Sequence, residues 1–146
     1  MENAEIVAVS VSRKKGEKKT NMDEVRLIRD HGIDQDAHAG DWHRQVSLLD
    51  MESISRIRDK GLDVHPGNFA ENITTRGIRL WELPIGTRLR LGAQVLVEVT
   101  QIGKECHDRC AIFHQVGDCV MPREGIFAKV LEEGTIRPGD AITVLE

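Results

Sequence analysis

Arg88-Leu89-Arg90-Leu91-Gly92-Ala93-Gln94-Val95-Leu96-Val97-Glu98-Val99-Thr100 is the stretch that decides the fold. Leucine alternates with arginine before a glycine-containing tripeptide, and valine recurs at every second position after it. A period of two sends side chains to opposite faces of a strand. Three residues including Gly92 are enough to join two antiparallel strands. This is a β-hairpin, and its second arm is the strongest strand in the chain.

Working outward, Ile6 to Ser12 alternates apolar and small residues and reads as a strand. Val25 and Leu27 alternate with Glu24 and Arg26, so Asp23 to Arg29 reads as another, with a short helix as the alternative because Glu, Arg and Leu favour helix. Pro138-Gly139-Asp140 turns the chain into a final strand, Ala141 to Leu145. Arg13 to Asn21, with four lysines and one arginine, reads as an exposed loop; His31 to His43 and Gly67 to Thr75 read as loops by their polar, turn-forming composition. Met51 to Lys60 is the best helix, with Asp50 as N-cap, Gly61 at the left-handed position after its end, and Leu49, Ile54 and Ile57 as an apolar stripe. A second short helix is expected over Gly125 to Glu133, with Ile126, Phe127, Val130 and Leu131 on one face. Short strands, many turns and two short helices give a mainly β fold, closed as a β-barrel so that no strand edge is left exposed.

The chain has 146 residues, 40% hydrophobic and 30% charged, and is expected to form one domain, residues 1–146. A net charge of −4, with three Phe, two Trp and no Tyr, argues against nucleic acid as a partner. No apolar run is long enough for a membrane span, and the first residues lack the apolar core of an export signal. A cytoplasmic location is expected, and an odd number of cysteines fits that setting better than a disulfide framework.

Three clusters could carry chemistry. The first runs from Gly32 to Ser47 and includes Asp34, Asp36, His38, His43 and Arg44. Asp34, Asp36 and His38 alternate, so an extended backbone would put them on one face as a hard-metal site or an anion-binding lip. A solvated loop is the plain alternative. The second, Pro66-Gly67-Asn68-Phe69-Ala70-Glu71-Asn72, is either a set of conformational turns or a Glu-Asn pair that orients a ligand. The third is Gly103-Lys104-Glu105-Cys106-His107-Asp108-Arg109-Cys110, with Cys119 beyond it. It follows the strongest strand, and Lys104, His107 and Arg109 would stabilise a thiolate as a nucleophile or soft-metal ligand. A zinc site built from Cys106, Cys110, His107 and Cys119, or simple packing of small apolar thiols, are the alternatives.

In order along the chain, the Gly32 to Gly40 pattern, Arg44-Gln45-Val46-Ser47-Leu48, Pro66-Gly67-x-Phe69-Ala70-Glu71-Asn72-Ile73, Leu83-Pro84-Ile85-Gly86, Thr100-Gln101-Ile102-Gly103, the cysteine segment and Gly139-Asp140 resemble the MOSC domain. That family is named for the C-terminal domain of molybdenum cofactor sulfurases. The resemblance runs from about residue 6 to residue 144 and is to the small, single-domain bacterial branch. It implies a MOSC-type β-barrel and a functional cysteine that holds sulfur or ligates molybdenum carried by a pterin dithiolene.

On that resemblance Cys110, after Arg109, is the expected reactive thiol and metal ligand, and Cys106 is its neighbour. Cys119 is extra. Arg44, Lys104 and Arg109 would hold the pterin phosphate. Asp36 and His38 would line the pocket, with Asn72 beside them, and the three clusters would converge. Molybdopterin-bound molybdenum is the implied cofactor, and no pyridoxal phosphate is expected in this chain. The implied function is sulfur carriage or transfer during cofactor maturation, with cofactor-biosynthesis or sulfur-donor proteins as partners. The alternatives are a molybdenum-dependent reductase of N-hydroxylated compounds fed by an external electron donor, and a zinc-stabilised binding module.

Overall fold

The computed structural model describes residues 4–14, 19–103 and 125–145. Its strands in chain order are β1 (Ala4–Val11), β2 (Thr20–Met22), β3 (Val25–Ile28), β4 (Gly32–Ile33), β5 (Val46–Asp50), β6 (Ile73–Arg76), β7 (Arg88–Leu91), β8 (Val95–Ile102), β9 (Ile126–Glu132), β10 (Gly134–Ile136) and β11 (Ala141–Leu145). One helix, α1 (Met51–Asp59), lies between β5 and β6.

The hairpin forms as expected, with Leu91 opposite Val95 and Gly92 at φ 65°. Around it the sheet runs β11-β7-β8-β9-β5-β6-β1, and β1 pairs back onto β11 to close a seven-stranded barrel. Only β5 and β6 are parallel within it. Parallel neighbours need a crossover, and α1 supplies it. A small β10-β3-β4 sheet packs Val25, Leu27, Ile33 and Ile136 into the same core as the barrel's inward residues.

The helix forms because its caps work. Asp50 accepts the Ser53 N–H at 3.0 Å and the Ser53 hydroxyl at 2.6 Å, and Gly61 follows at φ 97°. Leu48 points into the barrel while Leu49 points out, where it joins Ile54, Ile57, Val64, Phe69 and Phe127 in a second apolar cluster under α1. The helix therefore packs on the outside of the barrel.

Three sequence expectations are corrected. The stretch Gly125 to Glu133 is not a helix, because Ile126–Glu132 form strand β9: Ile126, Ala128 and Val130 fill the barrel while Phe127 packs under α1. A strand covered on both faces loses the alternation that marks most strands, so its apolar spacing mimics a helix. The stretch Gly67 to Thr75 is loop only as far as Asn72, because β6 begins at Ile73 between β5 and β1. Finally, Arg13 to Asn21 is not wholly exposed, since Lys19 is buried.

Candidate functional site

Lys19 leads into the site. Its Nζ lies 2.8 Å from Asp36 Oδ1, and neither side chain has any exposed surface. The same Nζ is 3.0 Å from Ser12 Oγ and 3.0 Å from His38 Nδ1. Asp36 is the hub of this group. Its Oδ1 also accepts the Ser12 N–H at 3.0 Å, and its Oδ2 accepts the His38 N–H at 3.1 Å. Burial pushes the Asp36 carboxyl up, but the Lys19 hydrogen bond and charge, with the backbone donors, hold it below the usual carboxylate range.

The glycine loop that precedes β6 is joined to this group. Lys19 N–H donates to the Gly67 carbonyl at 2.9 Å, so the second sequence cluster carries the backbone of Lys19. Glu71 organises that loop from inside: its carboxylate accepts the N–H of Gly67 at 2.9 Å and of Phe69 at 3.2 Å, and the Thr74 hydroxyl at 3.0 Å. Desolvation raises the Glu71 pKa despite these donors. Asn72 is fully buried. Its Oδ1 accepts the Ser47 N–H at 3.0 Å and its Nδ2 donates to the Ser10 carbonyl at 3.1 Å, so it staples β5 to β1 at the start of β6.

From His38 the contacts continue to Arg44. The His38 carbonyl accepts the Trp42 indole N–H at 2.7 Å, and the Trp42 and His43 rings meet edge to face at 5.8 Å. Gln101 Oε1 lies 2.9 Å from His43 Nε2 and accepts Arg44 Nε–H at 3.0 Å. The Arg44 guanidinium sits 5.1 Å from the Phe127 ring centroid, and among the described residues no carboxylate salt-bridges it. Its plane is thus set by an aromatic ring and one hydrogen bond, with the charge left uncompensated by any described acid.

The first two clusters therefore meet, through Lys19. Lys104, Cys106, Arg109, Cys110 and Cys119 lie outside the described residues. The segment that contains them starts after Gly103 and ends before Gly125, and these two residues are joined by a 2.6 Å hydrogen bond from Gly103 N–H to the Gly125 carbonyl. Gln101 Nε2 donates to the Gly103 carbonyl at 2.8 Å, so the residue that orients Arg44 also holds the near root of the cysteine segment. Among the described residues no group of three His, Cys, Asp or Glu is arranged to hold a metal ion.

A surface cavity of about 730 Å³ lies elsewhere, lined by Arg26, Arg90, Gln94, Glu132 and Glu133. Gln94 precedes β8 and Gln101 is near its end, seven residues and roughly 20 Å away at the rise of a strand. None of the expected site residues among those described lines this cavity.

Lys19 and Gln101 were not among the residues singled out from sequence. Lys19 is one of several lysines in a charged run, and nothing local marks it as the one that meets Asp36. The Gln101 signal was present within Thr100-Gln101-Ile102-Gly103, although no role attached to it.

The comparisons agree with this architecture. The structure of YuaD protein from Bacillus subtilis superposes with a TM-score of 0.74 at 19% identity, covering 97% of this chain and 97% of that one. YiiM from Geobacillus stearothermophilus gives 0.72 at 22% identity, covering 98% of this chain and 75% of that one. YiiM from Escherichia coli gives 0.65 at 17% identity, covering 100% and 70% respectively. These likenesses show the fold. No curated protein sequence matches the chain. The model of the MOSC domain family matches residues 34–143, from the aspartate two positions before the hub of the buried ion pair to the middle of the last strand, and the chain belongs to that family.

Proposed function

We propose that this protein binds a molybdenum cofactor and carries or transfers sulfur through a cysteine thiol during maturation of that cofactor. Family membership supports this ligand class, and the observation that carries the reading is Arg44, a guanidinium held by Gln101 and Phe127 with no described acid against it. A phosphate-bearing pterin needs cationic donors of fixed orientation, and Arg44 is such a donor. The donor set fits an anionic, acceptor-rich ligand: Arg44 for phosphate and the Lys19-supported His38 for a polar edge. When bound, the cofactor supplies molybdenum held by a dithiolene, a soft centre that suits a thiolate.

Cys110 is the proposed thiol, with Cys106 as its neighbour and Lys104 and Arg109 as further cations. A thiolate takes up sulfane sulfur as a persulfide and releases it to a second nucleophile. Sulfur-donor or cofactor-biosynthesis proteins are the matching partners, in a cytoplasm that keeps thiols reduced.

The test is titration of molybdopterin into wild type and Arg44→Ala at two salt concentrations, together with metal analysis of untagged protein. Loss of Arg44 is expected to weaken binding by about 1.5–3 kcal/mol, the range for a charge-assisted hydrogen bond. Equal affinities at both salts would remove Arg44 from the site. Zinc without pterin would replace this function by a zinc-stabilised module, and turnover of an N-hydroxylated compound with an added reductant would replace it by a reductase. Cys110→Ser is expected to abolish persulfide formation.

A further inference from the structure

Among the described residues Lys19 is the one buried lysine or arginine. An ammonium has three N–H donors and no acceptor. Lys19 Nζ has three partners at hydrogen-bonding distance: Asp36 Oδ1 at 2.8 Å, Ser12 Oγ at 3.0 Å and His38 Nδ1 at 3.0 Å. The Ser12 hydroxyl donates its own proton to the Lys14 carbonyl at 3.2 Å, so its oxygen faces Lys19 as an acceptor. Asp36 is a carboxylate and accepts as well. Two N–H groups are accounted for, and the third points at Nδ1.

We infer that Lys19 is a positioning residue that fixes His38 as the neutral tautomer protonated at Nε2, so that Nε2 is a hydrogen-bond donor and not an acceptor toward any group it meets. A proton on Nδ1 would set N–H against N–H at 3.0 Å, and an imidazolium would add a like charge to the same contact. An uncharged Lys19 amine could accept from Nδ1, but it would leave the buried Asp36 carboxylate without a counter-charge. Asp36 does not hydrogen-bond the ring, because Nδ1 lies 3.8 Å from Oδ2, within ion-pair reach but beyond a hydrogen bond.

The backbone makes the arrangement rigid. Asp36 Oδ2 holds the His38 N–H at 3.1 Å, and the Trp42 indole holds the His38 carbonyl at 2.7 Å. The ring is not sealed in: 19% of the His38 side chain remains exposed. A donor at Nε2 selects for chemistry. A carbonyl oxygen, an unprotonated ring nitrogen, a phosphate oxygen or a thiolate satisfies Nε2–H, whereas an amine or amide N–H opposes it. From the proposed function this inference takes only that the site receives a ligand; the tautomer does not depend on which one.

The test is long-range proton–nitrogen NMR of cofactor-free protein labelled at the histidine ring nitrogens, with His38→Gln to assign the signals. The expected pattern at neutral pH is Nδ1 at the unprotonated shift and Nε2 at the protonated shift. In the double variant Lys19→Met with Asp36→Asn, which leaves neither buried charge alone, the two shifts are expected to move toward each other as both tautomers become populated. Nδ1 at the protonated shift in wild type would overturn the inference, and so would a double variant whose shifts match wild type. The wild-type measurement decides even if the double variant fails to fold. Failure of molybdopterin to bind, with the tautomer as stated, would overturn the proposed function alone. Bound molybdopterin with the opposite tautomer would overturn this inference alone.

Discussion

Gly67 and Lys19 are in backbone contact so close that a β-carbon on Gly67 would sit 2.5 Å from the Lys19 carbonyl oxygen. Gly67 also holds φ at 94°, a conformation that L side chains rarely adopt. Both facts follow from one requirement: the loop must press against the segment that delivers the buried ammonium. Gly67→Ala is expected to destabilise the protein by about 2–5 kcal/mol, from the left-handed penalty and the backbone overlap together. Urea unfolding measures it. A loss under 1 kcal/mol, taken as the ~0.5–1 kcal/mol scale of an ordinary Gly-to-Ala exchange, would show that the loop relaxes away from Lys19 at little cost.

The Lys19–Asp36 pair has no exposed side-chain surface, so its two halves are expected to fail separately and survive together. Lys19→Met leaves a buried carboxylate uncompensated and should cost about 3–5 kcal/mol, whereas Lys19→Met with Asp36→Asn should cost much less. A double-mutant cycle by urea unfolding checks this. Additive losses would show that the two side chains do not depend on one another.

Two buried carboxyls are expected to shape acid stability with opposite signs. Asp36 has a folded pKa below the ordinary aspartate value of 3.8, so its contribution is full above that value and is lost as pH falls through the lower folded one. Glu71 has a folded pKa above the ordinary glutamate value of 4.5, so the folded state binds its proton more tightly. Its contribution is full below that value and is lost as pH rises through the folded pKa. Unfolding free energies measured against pH should show Asp36→Asn losing the acid-side fall and Glu71→Gln losing the decline above pH 4.5. An unchanged profile in either variant would contradict the corresponding assignment.

Thr75 Oγ1 is buried in β6 without a hydrogen-bond partner among the described residues. A buried hydroxyl that gives up water and gains nothing costs about 1–3 kcal/mol. Thr75→Val keeps the β-branched shape that suits the strand and removes that cost, so it is expected to raise stability by about 1 kcal/mol or more. Thermal unfolding reads the change. A lowered melting temperature would mean that the hydroxyl is satisfied in solution.

The elements legible in the sequence are those whose causes lie within a few residues. The β7–β8 hairpin follows from alternation on either side of Gly92, and α1 from an Asp50 cap and a Gly61 terminus that act on their own backbone neighbours. The ordered motifs also sufficed to indicate the family, because they preserve glycines and polar residues at turns where the local conformation demands them. Tertiary structure alone decided β9, whose Phe127 is buried under α1 while Ile126, Ala128 and Val130 are buried inside the barrel. No local pattern reports burial on two faces by two different partners.

Likewise, Asp36 and His38 stood out in the sequence as a polar pair, but the ion that organises them did not. Lys19 is 17 residues from Asp36, and it is buried because β1, the Gly67 loop and the Asp36 loop close around it. In the unfolded chain it is a solvated lysine in a basic run. A buried charge is stabilised by geometry that exists only after folding, which is why composition described that run as surface and the fold made part of it the centre of the site.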